Sequence, residues 1–405
     1  MSKVIWILNQ TSGTPDSGWG ERHYYFAKQW KEKGYKTYIF SGSYNHLFRN
    51  QPNTGSANLT IDSIEEGITF CWVKNPKYKD GGFTKFWSNI IYTIRLLLLN
   101  LKELPKPDIV LVSSMPLFPI VVGNIFKRRY KSQKLIIEIR DLWPLTPIYL
   151  KGYSKRNPLV LILSWFEKYA YRKSDKIVSV LPNANLHIDS ISKLPEKFHY
   201  IPNGIDIRLT KSDELHTEVL SMIPENKFII GYAGTIGFAN AMEYFIEASK
   251  LLKNNHEIHF VLVGDGVLVS KLKSLLDKDQ SNITFIPKIA KSQVQTILYY
   301  FDVCYLSRYK SDLYKYGVSY NKYFDYMLAK KPILESSEFI KDQVEMSGCG
   351  IIVKPEDATE IVNGIHTLIN MSEEEKKELG KKGYDYVKKY HNFEYLSDLY
   401  LKVFN

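Results

Sequence analysis

Cysteine is scarce: three residues in 405, Cys71, Cys304 and Cys349, scattered and never in a C-x-x-C pair. That pattern excludes a disulfide framework and a zinc ribbon. It fits a reducing compartment in which the thiols pack as small apolar groups. Long apolar runs are lacking too. The longest, "NIIYTIRLLLLNL", is interrupted by Arg95 and falls short of a membrane span. The opening "MSKVIWILNQ" is too short in its apolar part for a secretory signal and reads as a buried first strand. No internal repeat, low-complexity tract, zinc finger or RNA-binding signature appears. H-E-x-x-H, G-x-S-x-G and any His/Cys metal cluster are missing, so neither a zinc-protease site nor an α/β-hydrolase nucleophile is encoded in a recognisable form.

What is present is a basic chain of ordinary globular composition. Lysine and arginine number 54 against 43 acidic residues, a formal charge of +11, and 44% of residues are hydrophobic. The excess points to an anionic partner. Because the lysines are spread rather than clustered, a phosphorylated substrate or anionic lipid suits it better than nucleic acid. Strand and helix patterns alternate. "KVIWIL", "YKTYIF", "DIVLVSS", "KLIIEI" and "DKIVSV" are strands separated by helical stretches, including "ERHYYFAKQWKEKG" and Pro158–Arg172. After a polar pause at 204–227 the pattern restarts with "FIIGYAG", "IHFVLVGDG", "ITFIPK", "DVCYLS", "PILES" and "GIIV". Continuous apolar strands between helices imply parallel sheets covered on both faces. The expected organisation is an α/β domain over 1–205, a second over 206–385, and a helical tail at 386–405 that could return to the first.

Ligands of such sheets bind outside the carboxyl ends of the strands, which directs attention to a few loops. "SGTPDSGWGERH" puts Gly18 and Gly20 just before a helix, where backbone N–H groups can approach a phosphate. It matches neither the G-x-G-x-x-G fingerprint nor a P-loop, and an ordinary flexible loop explains it equally well. His23, in the first turn of that helix, either reaches a substrate or packs. "EIRDLWP" places Glu138, Arg140 and Asp141 at the end of a buried strand, where charge needs a partner. They form a structural pair or offer Asp141 to sugar hydroxyls. "GYAGTIG" and "VGDG" are glycine turns after strands. In "GVSYNKYFDYMLAKKPIL", Lys322 and Asp325 lie three apart on a helix. Alone, that stretch is best read as an exposed ion pair; the alternative is an anion held at the helix N-terminus.

Taken in order, "GERHYYFAKQWKEKGYKTYIF", "IIEIRDLWP", "YIPNGID", "GYAGTIGFANAMEYFIEAS", "FVLVGDG" and "GVSYNKYFDYMLAKKPIL" resemble a retaining family-four glycosyltransferase of the GT-B fold. The likeness is to the bacterial O-antigen and capsule branch that includes N-acetylfucosamine transferases, and it spans nearly the whole chain. It implies two Rossmann-like doubly wound domains facing each other across a cleft. It also implies a nucleotide-sugar donor, usually UDP-linked, held by the second domain, an acceptor held by the first, and catalysis without a metal or other cofactor. Carried over, Asp325 would hold the donor ribose, Gly18 and Gly20 would lie near the diphosphate, and Arg140 and Asp141 beside the transferred sugar. Catalytic candidates are thus Asp141, Arg140, Lys322 and His23. Donor-binding candidates are Gly18, Gly20, Gly234, Thr235, Ser319, Asn321, Lys322 and Asp325, with Glu138 and Arg308 as further ones.

Three departures stand out. Gly317 replaces an acidic residue eight positions before Asp325. Thr235 and Asn240 replace an arginine and a lysine. Tyr320 replaces a proline. Two phosphates still require a cation; Lys322 is the expected substitute, with Ser319 as the helix cap. The resemblance further implies a lipid diphosphate-linked saccharide acceptor and bacterial surface polysaccharide as the product. "FTKFWSNIIYTIRLLLLNLK" and "GNIFKRRYKSQK" then read as contacts to anionic lipid on the inner face of the cell membrane, or simply as helices packed on the sheet. The enzyme is expected in the cytoplasm, without nucleic acid. A GT-B binding protein that lost catalysis and a UDP-sugar epimerase are the competing readings.

Overall fold

A computed structural model describes residues 3–79, 82–210, 213–339 and 341–405. The chain divides into two compact units, one of Met1–Asn203 with Phe393–Asn405, the other of Gly204–Asn392. Lys211 and Ser212, within the polar pause, lie outside the described residues.

The first unit is built on an eight-stranded sheet. Its strands are β1 (Val4–Leu8), β2 (Lys36–Gly42), β3 (Leu59–Glu65), β4 (Ile68–Val73), β5 (Ile109–Ser113), β6 (Lys134–Ile139), β7 (Lys176–Ser179) and β8 (Phe198–Tyr200), in the order β3-β4-β2-β1-β5-β6-β7-β8. Every residue of β1 and β5 is buried, which is why both read as unbroken apolar runs rather than alternations. The chain order reverses between β1 and β5, each of which pairs in parallel with the other. The hairpin β3–β4 was not foreseen. It is antiparallel, sits at the sheet edge, and turns through Gly67 at φ 81°, a backbone that favours glycine. The closing helix Phe393–Phe404 returns to the first helix, Arg22–Glu32. Tyr400 meets Phe26 and Trp30 edge-on at 4.8 and 5.4 Å, and Phe404 meets Trp30 at 5.0 Å. Burying each such ring is worth roughly 1.5–3 kcal/mol.

The second unit has a six-stranded, all-parallel sheet: β9 (Phe228–Ala233), β10 (Ile258–Val263), β11 (Ile283–Ile286), β12 (Val303–Ser307), β13 (Ile333–Ser336) and β14 (Gly350–Val353). Its order, β11-β10-β9-β12-β13-β14, is the doubly wound one, reversing between β9 and β12. At such a reversal the loops leaving neighbouring strands diverge to opposite faces and open a crevice. Both expected Rossmann-like units are therefore present.

Candidate functional site

In the second unit a pocket lies at that reversal. Tyr232 comes from β9, Leu306 and Ser307 from the end of β12, and Arg308 follows directly. Asn240 comes from the loop after β9, Tyr320 and Lys322 from the start of the helix Asn321–Leu328, and Glu335 from β13. The glycine of "GYAG" is what admits the lysine. Gly234 has φ 151°, and a Cβ built on it would overlap Lys322 Cε. The half-buried Lys322 chain therefore runs over the glycine, and its Nζ sits 5.2 Å above the Tyr232 ring. Burial and the neighbouring Arg308 charge push the ammonium down to about 7, against Asp325. Asp325 acts on Lys322 through its charge, raising the ammonium, and Lys322 is half-buried rather than a solvated surface lysine. Arg308 donates to the Ala239 carbonyl at 2.8 Å and lies 4.1 Å over the Tyr320 ring, a cation–π contact of about 0.5–2 kcal/mol. Tyr320, a departure from the family pattern, thus braces a cation in the pocket.

The other sequence candidates fall out as follows. Thr235 is exposed; its carbonyl accepts from Tyr232 Oη at 2.5 Å and Asn240 Nδ2 at 2.7 Å. It shapes the turn and supplies no charge. The helix starts one residue later than expected: Tyr320, not Ser319, is its N-cap, in extended conformation and without a side-chain cap bond. Asn321 is exposed at the first helical position, and Asp325 is half-buried one turn on. Gly317 has φ 84°, so a carboxylate-bearing residue there would be strained.

Glu335, on the pocket wall, belongs to a group the motifs did not single out. Glu335 is 1% exposed and Asp342 is likewise buried. Tyr323 Oη bonds Glu335 Oε1 and lies 3.1 Å from Asp342 Oδ2. Asp342 caps the next helix, accepting from Val344 N at 2.6 Å and Glu345 N at 3.4 Å. Burial and the facing Asp342 carboxylate raise Glu335 well above the ordinary range, against Tyr323 and Ser337. A charged residue at the end of the buried strand "PILES" was the available signal, the same one that drew attention to Glu138.

In the first unit, Glu138 is fully buried and saturated. Arg22 donates at 2.9 Å, His23 Nε2 lies at 3.0 Å, Ser113 Oγ donates at 2.7 Å, and Tyr400 Oη donates to Oε1. Burial would raise Glu138, but the charge of Arg22 and the bond from His23 hold it well below the usual carboxylate range. So its ion-pair partner is Arg22, not Arg140, which the sequence reading paired with Glu138 or Asp141. His23 is 1% exposed, with Nε2–H on the carboxylate and Nδ1 accepting from Ser12 Oγ at 2.7 Å. Burial pushes this histidine down, toward the neutral form. The Ser12–His23–Glu138 order mimics a nucleophilic triad, but all three side chains are buried and both ring nitrogens are engaged. His23 is therefore packed, held between Ser12 and Glu138. Gly18, in left-handed conformation, donates its N–H to the Pro15 carbonyl at 3.0 Å, so that group is not offered to a phosphate as expected. Gly20, at φ 79°, lets the loop fold back; a Cβ there would overlap the Thr11 carbonyl. Arg140 is half-buried, its N–H on Ser114 Oγ at 3.0 Å, and Asp141 is exposed at the strand end. Among the described residues no group of three or more His, Cys, Asp or Glu side chains could hold a metal ion.

Residues 18–209 match the family model "Glycosyltransferase Family 4" and residues 227–371 the model "Glycosyl transferases group 1". No curated protein matches significantly. Among solved structures, the chain is similar to sucrose-phosphate synthase from Thermosynechococcus elongatus, at 14% identity over 99% of both chains with a TM-score of 0.75. It is similar to the HepE protein of Anabaena in complex with UDP and glucose, at 14% identity over 99% of this chain and 98% of that one, TM-score 0.67. It is also similar to an E. coli structure described as trehalose-6-phosphate bound with UDP-2-fluoro glucose, at 10% identity over 99% of both, TM-score 0.71.

Proposed function

We propose, for a chain that is a glycosyltransferase of the GT-B fold, the transfer of a sugar from a UDP-linked donor to a lipid diphosphate-linked saccharide, with retention at the anomeric carbon. The donor sugar is an N-acetylated or deoxy-amino hexose, and the product a bacterial surface polysaccharide such as O-antigen or capsule. The observation that carries the donor reading is the pair of cations, Arg308 and Lys322, lining one pocket at the strand reversal. Neither has a carboxylate ion pair among the described residues. Two like charges so placed repel each other unless an anion lies between them, and a diphosphate supplies that anion. The structural relatives bound to UDP and UDP-2-fluoro glucose support the choice of nucleotide.

The chemistry follows from charge. As the sugar–phosphate bond breaks, negative charge grows on the leaving diphosphate, and Lys322, Arg308 and the first turn of the helix Asn321–Leu328 stabilise it. The leaving phosphate takes the proton of the attacking hydroxyl on the same face, so no protein nucleophile and no metal is required.

The acceptor reading places the enzyme at the cytoplasmic face of the membrane. Among the described residues no helix is long and apolar enough to cross a bilayer, but two helices expose apolar side chains. Gly82–Leu98 presents Phe83, Trp87, Ile94 and Leu98, and Pro158–Lys173 presents Leu161, Ile162 and Trp165. The exposed cations Lys168, Arg172 and Lys173 lie on the latter helix. Aromatic and aliphatic groups beside cations suit an anionic lipid surface. The test is a transfer assay with UDP-sugars and a lipid diphosphate-linked saccharide, with the product anomer read by NMR. An α-linked product from an α-linked donor supports the proposal. Inversion contradicts retention; UDP binding without transfer supports a degenerate binding protein; conversion of the donor without acceptor supports an epimerase.

A further inference from the structure

Among the described residues Glu335 is the one carboxylate lining the cationic pocket. Its Oε1 is engaged by Tyr323, while Oε2 is buried and has no hydrogen-bond partner among the described residues. Leaving a buried acceptor unpaired costs about 1–3 kcal/mol, so the atom calls for an explanation. Which member of the Glu335–Tyr323–Asp342 chain carries the proton follows from its ends. Asp342 receives two backbone N–H groups as a helix cap, and these favour its ionised form. Glu335 receives no backbone donor. Oε2 is thus left without a partner, in the pocket that Arg308 and Lys322 also line. An ionised carboxylate there would repel a diphosphate; a neutral one does not. Its burial, which raises the proton affinity of Glu335, acts in the same direction.

An unfilled acceptor selects a ligand group with a hydrogen to donate. The phosphates of a diphosphate diester carry none at neutral pH; the transferred sugar carries hydroxyls and, if acetamido, an N–H, while the ribose and uracil donors belong to UDP itself, so titration of UDP against UDP-sugars tells the two apart. Resting on the donor reading above, we propose that Glu335 is a specificity-determining residue that accepts a hydrogen bond from the transferred sugar through Oε2.

The experiment compares calorimetric titrations of UDP, UDP-glucose and UDP-N-acetylglucosamine into wild type, Glu335→Leu and Glu335→Gln, beside melting curves. Glu335→Leu keeps volume and removes the acceptor; its affinity for UDP should stay within about twofold, while at least one UDP-sugar weakens roughly tenfold, the size of one lost hydrogen bond. Glu335→Gln, neutral and still an acceptor, should restore most of that loss. If Glu335→Leu weakens UDP and the UDP-sugars equally, the residue acts on the diphosphate or the fold, and the proposal fails. If the variant changes none of them, Oε2 is merely a neighbour of Ser337, and it fails again. Should Glu335→Leu melt far below wild type, the Glu335→Gln ratio of UDP-sugar to UDP affinity decides: a ratio equal to that of wild type supports the proposal, and a loss as large as that expected of Glu335→Leu overturns it. Absence of UDP binding by wild type would remove the donor-pocket reading itself, a distinguishable outcome that takes this one with it.

Discussion

At the scale of single residues, Lys322 and Glu138 show two uses of buried charge. Lys322 has no carboxylate ion pair among the described residues, and burial beside Arg308 pushes it down to about 7, against the charge of Asp325. A bound diphosphate should pull a proton back on. UDP-glucose is the suitable probe because its diphosphate is a diester and does not titrate near neutrality. Its affinity should fall by up to tenfold per pH unit above about 7, by single-proton linkage, and Lys322→Arg should flatten the profile. A wild-type affinity constant from pH 6 to 9 would contradict this. Since diphosphate charge peaks as the bond breaks, Lys322→Ala should lower kcat on the order of 100-fold, more than it raises KM. Turnover within about threefold of wild type would end that role.

Glu138 is the opposite case, a carboxylate whose partners are all in place. Its pKa in the folded state lies well below the ordinary value. The stability it contributes is thus fully present above about pH 4.5 and is lost as pH falls through the folded-state value. Glu138→Ala also strands Arg22 in the interior, and should cost about 3–5 kcal/mol at neutral pH. Melting curves check this: the gap between wild type and variant should narrow below about pH 4.5, and a gap unchanged down to pH 3 would contradict it.

At the scale of elements, the site depends on one glycine turn meeting one helix. Gly234→Ala would push the Lys322 chain aside, so its effect on UDP-glucose affinity should match that of Lys322→Ala. Gly237→Ala is the control: its backbone is extended, and the nearest neighbour of an added Cβ is Thr235 Cγ2 at 3.9 Å. Equal behaviour of the two alanine variants in a titration would show that Lys322 is placed by something else. These elements were legible in sequence because each is local: an apolar strand, a glycine turn, a lysine in a first helical turn. The hairpin β3–β4 escaped notice although "IEEGI" carries its turn glycine, because it breaks the alternation of strand and helix on which the reading rested. The Glu138–Tyr400 contact could not be read at all. The two are 262 positions apart, and only the return of the last helix brings them together. Glu335 and Asp342 share that difficulty, since their pairing depends on Tyr323 from another element. Where a motif was replaced, at Thr235 and Asn240, sequence showed the missing charge and offered Lys322, with Arg308 as a further candidate. That Arg308 is braced on Tyr320 and shares one pocket with Lys322 became visible only in the fold.

At the scale of the whole molecule, two properties set the partners: a formal charge of +11 and apolar side chains exposed on helices of the first unit. If these engage lipid, the protein should sediment with vesicles containing anionic phospholipid and much less with neutral ones, and salt should release it. Trp87→Ser with Trp165→Ser should weaken this binding while leaving UDP affinity unchanged. Vesicle binding unaffected by the double substitution would mean that these helices are not the contact.

The central claim, that the Arg308–Lys322 pocket holds the diphosphate of a nucleotide-sugar, is tested most directly by calorimetric titration of UDP, in chelator, into wild type and an Arg308→Met, Lys322→Met double variant whose melting curve is unchanged. Saturable one-to-one binding by wild type, weakened at least 100-fold in the variant as expected when both charged hydrogen-bonding partners are removed, is the predicted result. Equal binding by the two proteins, or no binding by wild type, would contradict it.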